Sequence, residues 1–111
     1  MNSPVRRAKL SASERHFRSR IAQLASTRWF LRGTLSERAG TCGKPNCRCT
    51  RGHLHEGLYL VVTEGSKSRQ MYIPAEWEAV VREWIDNYNH TRELMDDLSA
   101  VHWEKIKTRQ R

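Results

Sequence analysis

No run in this chain approaches the ~20 consecutive apolar residues that a membrane span requires. The basic N-terminus MNSPVRRAKLSASERHF leads into no apolar stretch, so it does not read as a secretory leader. Cysteine is scarce, with three in 111 residues, all between positions 42 and 49. An odd number of thiols with no export signal points to a reducing cytoplasm and away from structural disulfides. Recognisable catalytic signatures are lacking too: there is no GxSxG, no phosphate-binding glycine loop and no grouping of carboxylates suited to two metals. The best nucleophile–base pairing that can be written is Cys47 with His53 or His55, and no triad pattern supports it. Asp96-Asp97 reads as part of a solvated helix face. An enzyme is therefore not expected.

Acidic residues are sparse over the first two thirds of the chain. Residues 1–70 hold 14 Lys+Arg against 4 Asp+Glu, a net +10, whereas residues 71–111 hold 6 against 8, a net −2; the whole chain carries +8. A positive field confined to one part of a small protein is the electrostatic footprint of a nucleic-acid-binding surface. The plainer alternative is a solubilising basic surface.

With 111 residues, the chain is expected to form one small domain, 11–111, preceded by a polar, disordered basic arm over 1–10. So short a polar chain buries a modest core, and a metal or a partner chain is a natural further source of stability. From Ser13 to about Thr27, Phe17, Ile21, Leu24 and Arg28 share one helical face, with Ser11 or Ser13 available as the cap. From Trp29 the helical period is lost, with Gly33 and Gly40 interrupting it, and a short edge strand leads into the cysteines. Leu58, Leu60 and Val62, then a turn at Glu64-Gly65-Ser66-Lys67, then Arg69, Met71 and Ile73 form a β-hairpin closed by Pro74. From there to about Lys107 nothing breaks a helix. Trp77, Val81, Trp84, Tyr88, Thr91, Met95, Leu98 and His102 step along it by alternating fours and threes, a heptad-like seam. Trp77, Trp84 and Trp103 are read as core and seam packing. A helix this long needs a companion, either the first helix folded back on it or the same helix of a second subunit. The predicted class is α+β: an N-terminal amphipathic helix (11–28), a core of short strand, zinc-knuckle loop and β-hairpin (29–74), and a long coiled-coil-like helix (75–108).

Chemistry concentrates in TCGKPNCRCTRGHLHEG. Cys42, Cys47 and Cys49 with one histidine supply the Cys3His set that tetrahedral structural zinc favours. His55, placed beside the hairpin, is the preferred fourth ligand, and His53 is the alternative. Gly43, Pro45, Gly52 and Gly57 allow the bends of a knuckle. A site filled by four protein ligands is closed, which implies structure and not hydrolysis. A redox pair among the thiols, or thiols that merely pack, are the competing readings.

CGKPNCRC, the stretch HEGLYL, the basic turn GSKSRQ and MYIPAEW together resemble a family of short bacterial proteins carrying a domain of unknown function, often encoded near transposases. The octet is its specific part. The sequence departs at HEGLY, where that family tends to place Gly-Pro after the histidine. The resemblance implies a cysteine-centred architecture and a mobile-element setting, and it implies no activity.

Two functions follow as expectations. One is a zinc-stabilised nucleic-acid-binding accessory protein, with DNA as the polymer, using Arg18, Arg32, Arg38, Lys44, Arg48, Arg51, Lys67 and Arg69. The other is a protein-interaction adaptor, a homodimer or a companion of a mobile-element protein, built on the long helix. No membrane contact is expected.

Overall fold

In the computed structural model the described residues are 10–40, 45–46, 48–52 and 55–109, the side chains of Cys49, Thr50 and His55 excepted. The elements run α1 (Ala12–Thr27), β1 (Thr34–Gly40), a 3₁₀ turn (Arg48–Arg51), β2 (His55–Glu64), β3 (Lys67–Tyr72), a second 3₁₀ turn (Ala75–Trp77) and α2 (Glu78–Thr108). The architecture is α+β: an N-terminal helix, a three-stranded antiparallel sheet in the order β1-β2-β3, and a long C-terminal helix. At 1.5 Å per residue, the 31 residues of α2 extend about 46 Å. Among the described residues, no helix is long and apolar enough to cross a membrane. The chain divides into two compact units, Met1–Trp29 with Asn87–Arg111, and Phe30–Asp86.

In the second unit, the sheet unit, β2 is the central strand. It pairs with β1 from Thr34↔Val61 to Gly40↔His55, and with β3 from Tyr59↔Tyr72 to Glu64↔Lys67. The strand therefore begins at His55, three residues before the alternating apolar pattern starts at Leu58. Backbone pairing with β1 carries it back through residues whose side chains give no strand signal. The hairpin turns at Gly65-Ser66, and Gly65 takes φ +62 at the first central position, which two-residue turns of this kind reserve for glycine. One sheet face supplies Leu35, Leu58, Leu60 and Ile73. These pack with Leu31 and with Val81 and Ile85 from the first turns of α2. Leu31 is held there by its N–H, which donates to the Trp84 carbonyl at 3.1 Å. Gly33 makes a close approach: a Cβ on it would lie 2.8 Å from Leu60 Cδ1 and 3.0 Å from the Val61 carbonyl oxygen. The other face buries Tyr59, whose ring meets Tyr72 edge-on at 5.5 Å. A Cβ on Gly57 would touch the Tyr72 ring at 3.1 Å.

In the first unit, the helical unit, Ser11 is the N-cap of α1 within a reciprocal capping box. The Glu14 N–H donates to Ser11 Oγ and the Ser11 N–H donates to Glu14 Oε1, both at 3.2 Å. The C-terminal part of α2 runs antiparallel to α1. Glu14 lies beside His102 and Lys105, while the Trp29 carbonyl accepts a 3.1 Å hydrogen bond from Asn87 Nδ2. Within the chain, then, α1 is the companion that α2 requires. Leu24, Leu94 and Leu98 are buried.

This burial corrects the predicted seam. Leu94 is buried where Met95 was expected, and Met95 is 53% exposed. Packing on α1 follows the 3.6-residue period of a straight helix, so a strict alternation of fours and threes drifts off the contact line. The tryptophans are corrected too. Trp103 is 74% exposed, Trp77 lies in the 3₁₀ turn before α2 and is 47% exposed, and Trp84 alone of the three is half-buried.

Candidate nucleic-acid interface

The predicted basic residues separate into distinct places. Arg32, Lys67 and Arg69 gather at the hairpin end of the sheet. Arg32 Nη1 donates to the Thr63 carbonyl at 3.1 Å, Arg69 Nη2 lies 3.1 Å from Glu64 Oε1, and Lys67 is the register partner of Glu64. All three are exposed. One carboxylate set against three cations leaves this end positive. Ion pairs as exposed as Arg69–Glu64 contribute little, so the guanidinium can exchange its partner for a phosphate at small cost.

Alternation of the strands fixes which cation faces what. Arg69 is opposite Val62 and shares their face with Leu60 and Met71. A groove of about 360 Å³ runs along Leu60, Val62, Arg69 and Met71. It shares Leu60 and Met71 with a second groove of about 280 Å³, lined by Trp77, Trp84, Pro74 and Ile73 among others. Trp77 and Trp84 meet edge-on at 6.3 Å. The sheet unit thus presents an apolar, aromatic trough that ends in cations, a combination suited to stacking planar bases while holding their phosphates.

Arg38 is elsewhere. It pairs in register with Gly57, on the Tyr59 face, and its guanidinium donates to Gln70 Oε1 at 2.9 Å. Arg48 and Arg51 are exposed in the first 3₁₀ turn, and Arg18 is exposed on α1 in the helical unit. Lys44 lies outside the described residues.

Of the predicted metal ligands, Cys42, Cys47 and His53 lie outside the described residues. Cys49 belongs to the first 3₁₀ turn and His55 opens β2, with only their backbones described. Among the described residues, no group of three or more His, Cys, Asp or Glu side chains is placed to hold a metal. Backbone register does bear on the flanks of the loop: Gly40 and His55 are partners at the last rung of the β1–β2 ladder.

A charged cluster in the helical unit escaped the sequence reading. Glu14 is only 2% exposed, with Lys105 Nζ 3.1 Å from Oε1 and His102 Nε2 3.2 Å from Oε2. Burial pushes the carboxyl pKa up. The Ser11 N–H, Lys105 and His102 together outweigh that and bring it from 4.5 down to about 2. Two signals in the sequence pointed to this residue. Ser11-x-x-Glu14 is a capping box, and Glu14 continues the Phe17, Ile21, Leu24 stripe one turn toward the N-terminus.

Residues 13–83 match the model of a family described as a domain of unknown function, DUF6788. No curated protein and no solved structure matches the chain.

Proposed function

The chain belongs to the DUF6788 family, a domain of unknown function, and on that premise we propose that it is a small nucleic-acid-binding accessory protein whose cysteine segment is stapled by zinc. The observation that carries the reading is the gathering of Arg32, Lys67 and Arg69 at one end of an aromatic trough, within a stretch of sequence whose net charge is +10. Cations there would contact phosphates and set the register of the polymer, while Trp77 and Met71 would meet bases. DNA is the expected polymer. That choice, like the link to a mobile element, rests on the resemblance carried by CGKPNCRC.

Zinc enters through the chemistry of the donors. Three thiolates and an imidazole make a closed, soft, tetrahedral set. The pairing of Gly40 with His55 supports His55 as the fourth ligand, because Cys42 lies two residues beyond Gly40. Such a site would hold the loop and leave the chemistry of the polymer untouched.

Binding to arbitrary duplex and single-stranded DNA, measured against salt, tests the polymer. Each phosphate contact lowers the slope of log K against log salt by about 0.9 on duplex. Arg69→Ala should therefore flatten the slope by about one unit, while Arg38→Ala, on the opposite sheet face, should leave it nearly unchanged. Weak binding that ignores salt would remove the reading. Metal analysis tests the staple: about one zinc per chain is expected, lost with serine at Cys42, Cys47 or Cys49 and with alanine at the true histidine ligand. A chain that stays folded after strong chelation, with freely alkylated thiols, has no such staple.

A further inference from the structure

The helical unit carries large apolar side chains left exposed among the described residues. Trp103 and Ile106 are each 74% exposed and Met95 is 53% exposed. At 100° per residue, Met95, Trp103 and Ile106 fall within roughly 80° of one another around α2. They form a stripe beside, but separate from, the buried Leu94 and Leu98. A contiguous apolar stripe containing an exposed tryptophan marks an interaction surface.

We propose that this stripe binds the same stripe of a second copy, with the two α2 helices antiparallel about a two-fold axis level with Val101. Self-complementarity identifies the occupant. In that arrangement Met95 of one helix meets Ile106 of the other, and each Trp103 packs over the small Ser99 of the other copy. Asp96 and Lys107 are eleven residues apart and project from the same flank. Antiparallel pairing brings each Asp96 toward the Lys107 of the other copy, twice per dimer, as an isologous interface requires. Both side chains are exposed, and neither takes part in an ion pair within the chain among the described residues. The proposal is independent of nucleic-acid binding.

Sedimentation equilibrium of the full chain over a wide concentration range tests it. The expected species has twice the 13.0 kDa chain mass. Trp103→Glu should raise the dimer dissociation constant by about tenfold to a hundredfold. Because Trp103 is exposed, the helical circular dichroism should stay unchanged. Asp96→Lys alone and Lys107→Asp alone should each weaken the dimer, and the double reversal should restore it. A monomer at every concentration overturns the proposal. So does a dimer that tolerates both Trp103→Glu and Ile106→Lys, and so does a charge-reversed pair that fails to recover, because the antiparallel register requires that pairing.

Discussion

The two units of this protein are held together in different ways. The sheet unit rests on an apolar cluster, Leu60, Ile73, Val81 and Ile85, closed by Leu31, Leu35 and Leu58. The helical unit buries Leu24, Leu94 and Leu98, and with them the carboxylate of Glu14. A buried charge is tolerable only where donors surround it, and here a cap N–H, an ammonium and an imidazole do so. The comparison shows how a small polar chain finds order. One unit obtains it from area removed from water, which is indifferent to pH. The other depends in part on a charge-assisted network that specifies how two helices align and that acid can dissolve.

The contrast can be broken most forcefully from the apolar side. Leu60→Ala should cost about 2–5 kcal/mol, the range for leucine truncation in a packed core. The loss should appear as reduced hydrogen-exchange protection of β2 and β3 amides, and unchanged protection would refute the cluster's role. Gly33→Ala should follow at about 1–3 kcal/mol. Its φ of +153 suits glycine, and the added methyl would run into Leu60 and the Val61 carbonyl. Thermal denaturation reads this directly, and a variant as stable as the parent would mean the backbone there can yield.

Acid should single out the helical unit. Because the Glu14 pKa is depressed in the folded state, its contribution is complete above about 4.5 and is lost as the pH falls toward 2. Glu14→Gln, which keeps the shape and removes the charge, should flatten the stability–pH curve in that window. An acid limb identical in parent and variant would show that other groups govern it. The smallest effect sharpens the comparison from the surface. Arg82→Ala removes an exposed i,i+4 pair with Glu78 at 3.0 Å and should change the melting free energy by about 0.3–0.5 kcal/mol or less. A loss several times larger would place that pair among the determinants of the sheet unit.

Much of this fold is legible in the residues themselves. The α1 cap at Ser11, the hairpin turning at Gly65 and the unbroken run of α2 each follow from a local rule about caps, positive φ or the absence of breakers. Which residues of α2 would be buried was less legible. Met95 and Leu94 are adjacent and similarly apolar, so a seam drawn through either fits the letters. Contact with α1 selects Leu94. Tyr59 and Leu60 pose a related difficulty: alternation puts them on opposite faces and marks Leu60 as the inward one, yet both are buried. At the candidate interface, the charge asymmetry was evident from composition. That Arg69 shares a face with Leu60 and Met71 while Arg38 takes the other face depends on strand register, which is set by pairing across the sheet.

The sequence by itself determined the class of structure, the order of its helices and strands, the basic character of its first two thirds and the grouping of every thiol in one short segment. These are properties of neighbours along the chain, where period, turn chemistry and charge can be counted. Tertiary structure alone decided that a glutamate would be buried and a tryptophan left in water, and which arginines would stand together. Burial and proximity depend on residues distant in sequence, such as Lys105 beside Glu14 or Thr63 beside Arg32, and local patterns hold no information about partners so far away.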